Sequence, residues 1–240
     1  MAASWARDRH TSFYFGSAIA GLLITLVGFH LTYTQPVVTG TYTGPWWGHL
    51  HGAVAMAWLF LIIAQTWLAP RNIRLHRTLG AFALLVIPLW FATTVMIARE
   101  FAQITTAGGE LERAQDNILG ALVSPLVVAI VAGLALHYRK RPQAHKRLVF
   151  IATVVMLWPS WARWRHYFPD PDAVDQLFSF FIALTPIPLA MLRDKLKFGA
   201  VHPALLWGGV AVLAEQTMEV LAHGSPAWNA VSHALYRLLV

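Results

Sequence analysis

Apolar stretches alternate with short polar ones along this chain at intervals close to a bilayer thickness. Seven runs approach the ~20 residues a helix needs to cross a hydrocarbon core: Phe13–Leu31, Trp47–Ala69, Thr78–Ala98, Asn117–His137, Leu148–Phe168, Gln176–Leu192 and Val201–His223. The pattern predicts an all-α polytopic membrane bundle of about seven transmembrane helices over residues 1–224. The first run is long and lacks a small-residue cleavage site, so it reads as a retained anchor and not a signal peptide. Residues 225–240 read as a short amphipathic surface helix. Ser225 suits its cap, Pro226 its first position, and Trp228, Val231, Leu235, Leu238 and Leu239 recur at roughly helical spacing.

Composition agrees with lipid as the main solvent. The 240 residues are 57% hydrophobic and only 12% charged, against about 25% charged in soluble domains. The net charge of +7 forms no continuous basic face, so nucleic acid is not an expected partner. Placing the charges orients the bundle. With the N-terminus cytoplasmic, 13 Lys and Arg fall inside, including Arg7, Arg9, Arg71, Arg139 and Lys195, and 5 fall outside. This excess puts the N-terminus in the cytoplasm and, with seven spans, the C-terminus outside. The expected location is a bacterial inner membrane. The chain has no cysteine, which excludes thiol catalysis, disulfides, cysteine-ligated clusters and covalently attached c-type haem.

Eleven histidines are many for such a chain, and nearly all stand at or near predicted helix ends. Imidazole is amphipathic and tolerates interfaces, so interfacial placement alone accounts for any one of them. On the outer side lie His30, His49, His51, His166 and His223, with His233 in the tail; on the inner side lie His76, His137, His145 and His202, with His10 before them. His49 and His51 are two apart, about 200° around a helix, and cannot share a face. His51 is the better inward candidate because Gln65, fourteen residues on, falls on nearly the same face.

The last span carries AEQTMEVLAH, which sets Glu215, Glu219 and His223 at i, i+4 and i+8 on one stripe. Glu215 then lies about 12 Å deeper than His223, where an ionised carboxylate is costly and faces the bundle interior. One reading is an Arg–Glu network with Arg163 as counter-charge that fixes helix packing. The other is an outer polar cavity of His51, Arg163, Glu215, Glu219 and His223, with His30 able to approach, whose histidines and carboxylates suit a transition metal. On the inner side RLHRTLG and AHKRL each place a histidine beside basic residues. There one reading is a positive-inside flank. The other is a b-type haem held by His76 and His145, with Arg77 and Arg147 near its propionates.

The motifs HLHG, LHRTLG and HKRL, within His49–Gly80 and His145–Leu157, resemble a widespread family of uncharacterised bacterial multi-pass membrane proteins, and the likeness covers the first five runs. A weaker similarity is to the two-haem transmembrane cytochrome b reductases. That resemblance implies histidine pairs on alternate helices, one pair per membrane side. His76 with His145 matches an inner pair. An outer pair would join His51 to a histidine on the outer half of the fourth run, where NILGALV has none.

Three functions stay open at this point: electron transfer with a membrane redox partner, a small-molecule or proton-coupled carrier using Glu215 and Glu219, and a scaffold. Retinal chemistry is disfavoured because the last span lacks a lysine. Ser124 and Ser160 stand beside prolines without a base motif, and no glycine-rich phosphate loop appears.

Overall fold

A computed structural model describes residues 11–240; the expectations for Arg7, Arg9 and His10 lie outside the described residues. The described chain is all helix, with no strand. Helix α1 (Ser12–Gly28) bends by 47° into a continuation, His30–Val38. There follow α2 (Trp46–Leu68), α3 (Ile73–Gly80), α4 (Ala83–Ala107), α5 (Leu111–His137), α6 (Pro142–Met156), α7 (Pro186–Phe198), α8 (Pro203–Ala222) and α9 (Pro226–Leu239). Asn72 caps α3 by accepting from the Leu75 N–H at 3.0 Å. Gly199, at φ +77°, ends α7 in the left-handed region that glycine enters without steric cost.

Among the described residues five stretches are long and apolar enough to cross a membrane: Trp46–Leu68, Ile73–Ala107, Leu111–Lys140, Leu177–Phe198 and Pro203–Ala222. Counting α1 with its bent continuation as one span makes six. No more than a third of any of the five is buried inside the molecule. The rest of their surface is set with exposed Phe60, Leu85, Ile130, Trp207 and Leu221, an apolar exterior that hydrocarbon tolerates and water does not.

The expected fifth span, Leu148–Phe168, is where the count changes. Its helix stops at Met156, and the chain continues as a short helix, Trp158–Ala162, and a 3-10 stretch, Arg163–Tyr167. Pro159 has no N–H to give a continuous helix. At 15 residues, α6 is about 22 Å long. Ten of those residues are buried, including every one from Phe150 to Met156. Its apolarity therefore serves contacts with neighbouring helices on all sides, and α6 forms the axis of the bundle. Around the break, α1 comes close enough that a Cβ on Gly28 would collide with the Ser160 backbone. Trp164 Nε1 and Tyr167 OH donate to the Ile24 and Val27 carbonyls of α1 at 3.2 and 2.8 Å.

One ion pair locks α6 to α7. Arg147 is 0% exposed; its Nε donates to Asp194 Oδ2 at 2.7 Å, and its Nη1 donates to the Gln143 carbonyl and Oε1 at 3.0 and 2.8 Å. Asp194 also accepts from the His202 N–H at 3.4 Å. The tail helix α9 forms as expected, with Ser225 Oγ accepting from the Trp228 N–H. Its buried stripe packs against α4 and α5: Trp228 Nε1 and Ser232 Oγ donate to the Asp116 and Gln115 carbonyls at 2.8 and 2.6 Å, and the Thr106 and Tyr236 hydroxyls meet at 2.7 Å.

Candidate cofactor cavity

A cavity of about 1640 Å³ opens between α1, α2, α4, α5 and α6. Arg71, Arg77, Arg139, Lys140 and Lys146 stand at its mouth and make this the basic end of the bundle. The walls further in are apolar, with Trp58, Ile62, Ile87, Phe150 and Leu157 among them. Trp58 Nε1 donates to Thr153 Oγ1 at 3.2 Å and ties α2 to α6 across the wall.

His76 and His145 both line this cavity, near enough to act on one another electrostatically. Each ring is held in the same way. His76 Nδ1 meets the Gln65 carbonyl at 3.2 Å, and His145 Nδ1 meets the Ala135 carbonyl at 2.8 Å. A carbonyl oxygen only accepts, so both Nδ1 atoms carry the proton. Each neutral ring then has its lone pair on Nε2, which has no partner among the described residues. A metal-ligating histidine is oriented by the same backbone contact at its other nitrogen.

Gln65 adds a second feature. Its Nε2 is buried with no hydrogen-bond partner among the described residues, and it too lines the cavity. Its Oε1 lies 3.3 Å from where a Cβ on Gly80 would stand, so the glycine leaves room for this side chain. The cavity thus presents two imidazole lone pairs, one orphan amide donor and a rim of cations.

The expected role of Arg147 at haem propionates does not survive. Its guanidinium is sealed against Asp194 and does not border the cavity, whereas Arg77 does. A buried guanidinium takes the nearest anion because an uncompensated charge there is expensive.

The expected outer site is not assembled. Among the described residues no three metal-ligating side chains come together. His51 Nδ1 is bound to Thr93 Oγ1 at 3.1 Å, and His223 Nε2 to Asn117 Oδ1 at 3.1 Å. Glu215 and Glu219 do lie one helical turn apart, close enough to interact electrostatically. They face α5: Gly120 leaves the space that Glu219 Oε1 occupies, and Gln216 Nε2 bridges Glu215 Oε2 at 2.8 Å and Ser124 Oγ at 3.4 Å. Glu215 Oε1 and Glu219 Oε2 are buried without partners. Arg163 forms no ion pair with either carboxylate, so it is not their counter-charge; it stacks on Phe29 at 4.1 Å.

Two roles were out of reach of sequence reasoning. Asp194 looks like one more charge in RDKLK, yet it is the buried partner of Arg147. Gln65 is expected only to share an inward face with His51, and its carbonyl holds His76. Comparison with family models, curated proteins and solved structures returns no match.

Proposed function

We propose that this protein binds a b-type haem in the cavity at its basic end, where His76 and His145 would hold it, and moves electrons to or from a partner in the bacterial inner membrane. The observation that supports the reading is the shared geometry of the two imidazoles, each fixed through Nδ1 to a backbone carbonyl with its Nε2 lone pair available in one cavity. The residues present fit the group. The walls are apolar, Gln65 Nε2 is an orphan donor, and Arg71, Arg77 and Arg139 at the mouth suit two propionates. Bound there, haem supplies one-electron chemistry, its potential set by axial ligand, hydrogen bonding and burial. The chain's own part is to hold both rings at a fixed orientation, exclude water with the Trp58 and Phe150 wall, and neutralise the carboxylates with the basic rim. In this reading the basic end faces the cytoplasm.

The purified protein, expressed with haem supply, is expected to be red, with a Soret band that shifts on reduction with dithionite. A colourless protein that takes up no added haemin contradicts the assignment. A proton-coupled carrier is the second reading, supported by the neighbouring Glu215 and Glu219 carboxyls, each with one buried oxygen that has no partner among the described residues. In that case Glu215→Gln and Glu219→Gln leave the protein folded and abolish a pH-dependent flux in vesicles.

A further inference from the structure

Arg163 stands at the far end of the bundle from the basic mouth of the cavity. Phe29, on which it stacks, follows the 17 residues of α1, a rise of about 25 Å from Ser12. Its Nη1 donates to the Pro159 carbonyl at 2.9 Å. No carboxylate pairs with it among the described residues. Asp175 pairs with Arg165 at 2.5 Å. A guanidinium shielded by an aromatic face and a helix break, without a counter-anion, is costly in a lipid-embedded protein.

The remaining donors of Arg163 are arranged for a ligand. Among the described residues Nε and Nη2 have no acceptor, and neither is sealed inside the protein. Together they form the planar fork that matches two oxygens of one oxyanion. His51 is close enough to interact electrostatically with Arg163. The Thr93 hydroxyl donates its single proton to the Leu89 and Trp90 carbonyls at 2.9 and 3.0 Å, so it accepts from His51 Nδ1. That leaves His51 Nε2 with a lone pair, able to take the hydrogen of a protonated oxyanion and adding no negative charge. Arg165 and His166 follow in the same 3-10 stretch.

We infer that Arg163 anchors a phosphate-binding site at this end of the bundle, its Nε–Nη2 fork holding two phosphate oxygens. The phosphate comes from an anionic lipid headgroup or from free inorganic phosphate. The site is independent of haem binding.

Thermal unfolding of the full chain separates the two sources. One arm adds inorganic phosphate to protein in detergent, with sodium chloride at matched ionic strength as control. The other compares vesicles of phosphatidylcholine with vesicles that also contain phosphatidylglycerol. Wild-type protein is expected to be stabilised in at least one arm. Stabilisation by phosphate identifies the free anion, and stabilisation by phosphatidylglycerol alone identifies the headgroup. Arg163→Gln is expected to lose that response. Arg163→Lys, which keeps the charge and loses the fork, is expected to bind about tenfold more weakly and supplies the comparison if the glutamine variant does not fold. Wild-type protein unmoved in both arms, or Arg163→Gln or Arg163→Lys responding like wild type, overturns the site.

Discussion

Replacing Asp194 with Asn leaves Arg147 buried beside a neutral amide. The guanidinium is 0% exposed, and among the described residues its acceptors apart from Asp194 are two oxygens of Gln143, while Nη2 has none. Removing one member of a buried pair costs about 3–5 kcal/mol because the other charge stays uncompensated. Replacing both with apolar residues of similar volume, Arg147→Met with Asp194→Leu, removes the desolvation penalty along with the attraction and changes stability by about 1 kcal/mol or less. The coupling in the cycle of Arg147→Met and Asp194→Leu is then the summed cost of the two single variants, about 6–10 kcal/mol, less the small cost of the double. In thermal scans the single variant loses roughly 6–20 °C, given about 2–4 °C per kcal/mol for a chain of this size. The assay is unfolding in detergent followed by circular dichroism, with haem uptake measured alongside. The double variant is expected to recover stability and to bind haem as wild type does, since Arg147 does not border the cavity. A double variant as unstable as Asp194→Asn refutes the coupling, and one that folds well but fails to bind haem refutes the structural role given to Arg147.

Three further outcomes follow from single contacts. Gly120→Ala drives a methyl into the Glu219 carboxyl; it is expected to cost about 1–3 kcal/mol in denaturant unfolding, and Glu219→Ala in the same chain to recover most of it. Ser232→Ala, at a side chain 0% exposed whose hydroxyl meets the Gln115 and Asp116 carbonyls and the Leu119 N–H, is expected to cost about 1–3 kcal/mol and to expose α9 to proteolysis first. His202 precedes α8 and accepts the Ala204 N–H through Nδ1, and burial, then the neighbouring Arg147, lower its pKa from 6.5 to about 4, against a smaller opposing pull from Asp194. The unfolded chain therefore takes up this proton first as pH falls, so the His202 contribution is complete above pH 6.5 and drains away between 6.5 and about 4; His202→Asn, which can still cap, is expected to flatten that part of the stability profile.

The apolar runs made the helices and their membrane setting legible, because a helix needs only local sequence and lipid demands length. The fifth run misled because its residues read alike whether lipid or protein surrounds them; α6 is apolar all round because it is the axis. His76 and His145 were legible by residue type and position near helix starts on the same side. What was not legible was the pair of carbonyls, Gln65 and Ala135, that fix their rings, since these come from the ends of other helices. The outer set failed through rotation. The stripe of Glu215, Glu219 and His223 is real, but it turns toward Gly120 and Asn117 of α5, while His51 turns toward Thr93 of α4. Arg147 and Asp194 lie 47 residues apart, and no spacing rule links them.

The most direct measurement is a haemin titration of purified wild-type, His76→Ala and His145→Ala protein, followed by absorption and electron paramagnetic resonance. One haem per chain is expected, six-coordinate and low-spin in the wild type, with each single variant losing the low-spin signature and the double variant losing binding. Identical spectra and stoichiometry across the wild type and all three variants would contradict the assignment of the two imidazoles as ligands.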